Sequence, residues 1–220
     1  SVAARVIKLA NSSFYLGSGR IDSLDRAIVT IGFRGIRQMV LSISVIDEFR
    51  GKGQVLDRVK LWRHSLFTAT IGRALAATVD RETAEEVFVG CLLHDLGKAV
   101  LDDAFPEDYQ DAILRAIECG RPITETELDT FGMTHAGVAK IVAAKWNFPP
   151  QIADPMALHH SPRGDLAVTR KETFLHISLC QAANVLSKCF GLGLGLADVV
   201  ERVPDDVPLG VMVEVPSAIF

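Results

Sequence analysis

Leu92-Leu93-His94-Asp95-Leu96-Gly97-Lys98 is the stretch that decides how this 220-residue chain is read. Arg81 to Glu86 before it are mostly polar and Val87 to Leu93 nearly all apolar, as in a helix whose C-terminal half is deeply buried. That helix delivers a histidine and an aspartate, side by side, at its end. Lys98 follows four residues after His94, one turn away where the helix continues. An imidazole and a carboxylate in this position are donors suited to first-row divalent metals.

Working outward, the chain holds six histidines, at 64, 94, 135, 159, 160 and 176, and five of them sit in or beside strongly apolar segments. His159-His160 is an adjacent pair. The set His64, His94, Asp95, His135, His159 and His160 has two readings. One is a buried polar network whose members satisfy one another by hydrogen bonds. The other is a metal site, and five histidines are many to keep as core filler. Mixed imidazole and carboxylate ligation suits iron, manganese, zinc or nickel, as one or two ions.

Around this set the apolar spacing predicts helices and almost no strand-length alternation, so the class is all-α. Helices are expected at residues 2–9, 24–31, 36–49, 59–77, 82–93, 106–119, 123–129, 135–146, 150–159 and 171–190. Asp22 or Ser23 caps the second and Gly32 closes it; Leu16 to Gly19 and Gly51 to Gly53 read as breaks. The hairpin of residues 24–49 also fits a helix-turn-helix, but bundles produce the same layout and the chain is acidic. Gly191 to Gly195 is a turn that does not match a phosphate-binding glycine order, and residues from Pro204 read as a tail or linker. Asp102-Asp103 and Glu107-Asp108 read as solvated loop and helix-start acids, Trp62 and Trp146 as core anchors, and Arg34, Arg37 and Arg163 as part of a solvated face.

A formal charge of −4 excludes a sequence-independent nucleic-acid binder, which needs a concentrated basic face. Cys91, Cys119, Cys180 and Cys189 form no CxxC pair and read as reduced, mostly buried thiols of a cytoplasmic protein. No apolar run reaches the roughly 18 residues that a membrane span needs. The chain opens directly on a helical pattern without a start signal, which predicts that its first helices are missing.

The heptapeptide at 92–98 resembles the motif of the HD superfamily, in which adjacent His and Asp ligate a divalent metal in phosphohydrolases. His64 matches that superfamily's first histidine. His135 and His159-His160 resemble the additional ligands of its binuclear HD-GYP phosphodiesterases, and Lys98 the lysine that faces phosphate there. Two elements depart. Residues 171–190 hold no aspartate where the last metal ligand is expected, offering His176, Cys180, Gln181 and Asn184 instead, and Ser161-Pro162-Arg163 replaces the Gly-Tyr-Pro element.

Further stretches are similar to the HDOD branch: Ile7 to Ser12, Ile21 to Leu24 with Ala27-Ile28, Gly32, Leu61 to Ser65, Phe131-Gly132 with His135, and Trp146 to Pro149. This resemblance, over about residues 1–190, implies an HD-superfamily helical bundle with additional N-terminal helices. Residues 1–53 would form the N-terminal helical part, 54–190 the HD-like core and 191–220 a tail or linker. It implies a bacterial signal-transduction output domain that binds a signalling protein, not nucleic acid or membrane, and keeps an HD-type metal site. The other reading is a metal-dependent phosphohydrolase acting on a nucleotide or cyclic dinucleotide, with Lys98 contacting phosphate and Asp95 in the reacting centre.

Overall fold

Capping side chains set where four of the helices begin, and glycines where three end. In a computed structural model of the chain, residues 2–11, 21–49, 55–162 and 171–191 are described, and they form α-helices with no strand. They divide into two compact units, residues 2–49 and 55–191. The predicted breaks at 16–19 and 51–53, Arg163, the Arg34 side chain and everything beyond Gly191 lie outside the described residues.

The first unit holds α1 (Val2–Ala10), α2 (Leu24–Ile31) and α3 (Phe33–Glu48). Ser23 caps α2 by accepting from the Arg26 amide at 3.2 Å. Gly32, at φ +89°, turns the chain at once into α3, a conformation that side-chain-bearing residues rarely adopt. The break predicted to run to Gly35 is therefore a single residue. Asn11 holds the end of α1 to the approach of α2, accepting from the Ile21 amide at 2.8 Å. Between the three helices lies an apolar core of Val6, Ala10, Ile21, Ala27, Ile31, Ile36, Met39 and Ile43.

The second unit runs through α4 (Arg58–Ala76), α5 (Arg81–Leu93), α6 (Leu96–Ala104), α7 (Pro106–Cys119), α8 (Ile123–Phe131), α9 (His135–Lys145), α10 (Pro150–Leu158) and α11 (Lys171–Cys189). Asp57, Asp80 and Thr134 cap α4, α5 and α9 through backbone amides. The α4–α5 pair forms the centre, with α10 and α11 packed against it, and α6 against α9. A Cβ on Gly97 would fall 1.9 Å from the His135 carbonyl oxygen, so only glycine lets α6 approach α9 this closely. Asn147, at φ +52°, supplies the turn between α9 and α10.

Several expectations change. The helix before His94 ends at Leu93 as expected, but a separate helix not foreseen, α6, starts at Leu96 and carries Lys98. Asp102 is not solvated. It is fully buried on α6, 2.7 Å from the Arg58 guanidinium, and accepts the Val55 amide at 2.9 Å. Two of the four cysteines, Cys119 and Cys189, are exposed, and Trp146 is 37% exposed rather than a core anchor. No single helix among the described residues is long and apolar enough to cross a membrane.

Candidate metal centre

Asp95 sits at the corner between α5 and α6, with φ −93° and ψ 10°, directly after His94, the last cap of α5. The corner turns both side chains into the interior, where His94 and Asp95 are 0% and 1% exposed. α4 brings in His64, the first turn of α9 brings His135, and the turn after α10 brings His159 and His160. The six residues singled out in the sequence thus converge, from positions up to 96 residues apart.

They form two groups that share Asp95: His64, His94 and Asp95, and Asp95, His135, His159 and His160, with donor atoms in each group within 4.8 Å of one another. The carboxylate divides between them. Its Oδ2 faces His94 Nε2 at 3.3 Å and His64 Nε2 at 3.6 Å; its Oδ1 faces His135 Nε2 at 3.4 Å and His159 Nε2 at 3.6 Å. Lys98, one short turn on in α6, is 2% exposed and places its ammonium 3.1 Å from Oδ2.

The outer nitrogens explain the inner ones. His94 Nδ1 donates to the Cys91 carbonyl at 2.6 Å, His159 Nδ1 to the Met156 carbonyl at 3.0 Å, and His135 Nδ1 to Glu127 at 2.7 Å. A neutral imidazole that donates from Nδ1 presents a lone pair at Nε2. On the far side of Asp95 the Nε2 atoms crowd together: His135 Nε2 is 3.3 Å from His159 Nε2 and 3.0 Å from His160 Nε2. Nitrogens at such distances need a shared proton or a cation between them. His94 Nε2 is buried and makes no hydrogen bond. The donor set therefore fits a divalent metal, with His64, His94 and Asp95 on one side and Asp95, His135, His159 and His160 on the other.

The electrostatics agree. Burial opposes charge on Asp95, yet His94 and Lys98, with the His135 and His159 rings beside them, hold its carboxyl well below the usual range. Burial pushes His159 down to about 3 and His160 well below the usual histidine value, which leaves both neutral. His135 moves the other way: burial opposes, but the Glu127 carboxylate raises it. A proton there competes with a cation for the same nitrogen.

Glu127 is the residue that the sequence did not reveal. Fully buried on α8, it accepts from the His135 amide at 2.8 Å as well as from the ring, and its other oxygen receives the Tyr109 hydroxyl at 3.2 Å. Its position eight residues before His135 was the only available hint. Among the candidates offered on α11, His176 turns away to Glu86 at 3.0 Å, and Gln181 donates to the Leu158 and Ser161 carbonyls, bracing the His159-His160 turn. Ser187, not foreseen, shares a hydrogen bond with His64 Nδ1 at 3.0 Å.

Fold and site together define an all-helical bundle of the histidine–aspartate class. The HDOD domain family matches residues 1–162, and the chain belongs to that family. An HDOD domain protein of unknown function from Geobacter sulfurreducens is 27% identical, with TM-score 0.77 over 94% of this chain and 66% of that one. A Shewanella amazonensis SB2B protein, provisionally called a phosphohydrolase, is 21% identical, with TM-score 0.72 over 86% and 65%. The MmoQ response regulator of Methylococcus capsulatus str. Bath is 24% identical, with TM-score 0.53 over 85% and 72%. An uncharacterised protein of Treponema pallidum (strain Nichols) is 29% identical over 164 residues, 71% of this chain. The chain spans 30% of the length of that curated relative.

Proposed function

We propose that this chain is a cytoplasmic bacterial signal-transduction output domain that acts by binding a signalling protein, with a histidine–aspartate metal site retained inside it. Residues 1–53 and 54–190 would be the two parts of that module, and residues 191–220 a tail. One observation carries the reading: five of the six donors are closed off from solvent, and only His160 reaches partly toward it. His64, His94, Asp95, His135 and His159 are each at most 4% exposed, and the lysine that would face a phosphate is buried against Asp95 instead. A phosphodiester needs an open ligand position beside a cleft, and closure favours a structural or sensing role. Membership of the HDOD family and the likeness to a response regulator support the same reading.

The second reading is a metal-dependent phosphohydrolase, favoured by the two donor groups that share one carboxylate. A divalent cation held there would supply Lewis-acid polarisation of a phosphoryl oxygen and an acidified water. Asp95 would hold that cation, Lys98 would balance charge beside it, and Glu127 would fix the ring of His135. Iron, manganese, zinc and nickel all suit the donors, and the partner would be a small phosphorylated molecule.

Elemental analysis of the purified protein beside a His94→Ala, Asp95→Ala double variant separates the readings, with phosphodiester hydrolysis assayed on the same samples. Stoichiometric metal lost in the variant, without hydrolysis in either, is the expected result. Hydrolysis that disappears with the metal would replace the output reading by the enzyme. Metal in neither sample would leave a hydrogen-bonded polar core.

A further inference from the structure

α11 packs on α4, α5 and α10, and three of its side chains fix the direction of its inner face. Ser187 reaches His64. Gln181 reaches the carbonyls of Leu158 and Ser161, on either side of His159-His160. The Cys180 thiol is buried and hydrogen-bonded with Cys91, three residues before His94. Asn184 lies four residues after Cys180, three after Gln181 and three before Ser187, so on a helix it neighbours all three.

Its own environment is unusual. Asn184 is 5% exposed and its carboxamide oxygen has no hydrogen-bond partner. A buried carbonyl oxygen without a donor is unfavourable, and in native interiors such a group calls for an ion or a partner that satisfies it. His94 Nε2, equally buried and likewise without a hydrogen bond, is a second donor atom in the same state. The helices that α11 packs on, α4, α5 and α10, carry or end at His64, His94 and His159, so Asn184 shares its buried face with the residues that brace those rings.

We propose that Asn184 Oδ1 is a ligand of a divalent cation on the His64, His94 and Asp95 side of the centre. The inference rests on the metal reading above. It adds a neutral oxygen to two imidazoles and one carboxylate, giving two nitrogen and two oxygen donors with a single formal negative charge. The ammonium of Lys98 beside Asp95 lowers the net attraction further. Such a site binds its cation more weakly than one with a second carboxylate, and replacement of the amide by a carboxylate strengthens it.

The test uses the full chain, stripped with a chelator and titrated with Co2+ alone, following visible ligand-field absorption and checking the fold by circular dichroism. Asn184→Ala is expected to weaken Co2+ binding about tenfold or more, the scale on which support of a metal site is lost. Asn184→Asp is expected to bind more tightly and to shift the absorption band. A folded Asn184→Ala that titrates as wild type, with the same band, overturns the assignment. Should the alanine variant fail to fold, an unshifted band and unchanged affinity in Asn184→Asp overturns it equally. A wild-type chain that takes up no Co2+ sinks the metal reading and this inference together; wild-type uptake with indifferent variants sinks this inference alone.

Discussion

The two units bury their interiors in opposite ways. Among the described residues, 2–49 close on an apolar core of eight side chains, and an ion pair there, Arg5 with Asp47, stays partly exposed. In residues 55–191 the deepest positions include His64, His94, Asp95, Lys98, Asp102, Glu127 and His135. An apolar core loses stability in small steps as its side chains shrink. A buried polar interior behaves differently: each group is tolerable only while its partners are present, so one deletion leaves a charge or donor stranded. The first unit's stability is close to a sum, and the second's is conditional.

Acid should break the second unit with the largest effect. His159 has a folded value of about 3 against 6.5 for the free side chain, so the folded state takes up its proton less readily. Its contribution is therefore present above 6.5 and is lost progressively as the pH falls toward 3. His160 acts in the same direction, and the depressed Asp95 adds a loss below its ordinary value of 3.8. His135 is raised, so its contribution persists in acid and is lost as the pH rises through its folded value. Residues 2–49 contain no histidine. Amide hydrogen exchange followed on lowering the pH should show opening in α5, α9 and α10 first; earlier opening of α2 and α3 would reverse the contrast.

The next effect concerns Arg58, 7% exposed and paired with buried Asp102. Arg58→Ala is expected to cost about 3–5 kcal/mol in urea unfolding, because the Asp102 carboxylate is left uncompensated. An unchanged midpoint would mean that Asp102 is satisfied by the backbone amides alone. Gly97→Ala drives a methyl group into the His135 carbonyl and is expected to cost about 1–3 kcal/mol, with a fall in metal content measured on the same sample. The first unit should respond more gently. Ile43→Val is expected to cost about 1 kcal/mol in urea unfolding. Phe33→Ser, at a position 71% exposed, should change stability by less than about 0.5 kcal/mol by the same assay.

The same contrast governs what could be read from the sequence. The helices were legible because apolar periodicity and caps are local, and the six donors were legible because histidines are rare and two pairs stand adjacent. Asp102 was misread because an acid looks solvated until its partner is known, and that partner is Arg58, far back along the chain. Glu127 was missed for the same reason: nothing near it distinguishes a carboxylate that braces His135 from one that faces water. The helix end at Leu93 was legible, whereas α6 was not, because no capping side chain marks its start at Leu96. Burial of a charge depends on a distant partner, and a local pattern does not carry that information.

The supports of the centre also differ in how far along the chain they reach. Glu127 and His135 are 8 residues apart and Tyr109 and Glu127 are 18, whereas Ser187 and His64 are 123 apart. Closing a long loop costs more chain entropy than closing a short one. During refolding we therefore expect the α7–α8–α9 corner to assemble early and the α4–α11 closure over His64 to come last. Pulse-labelled exchange would register the α8 amides as protected before those of α11, and the reverse order would refute it. A chain emerging from a ribosome would, on this view, hold His135 in its braced position before the last described helix arrives to fix His64.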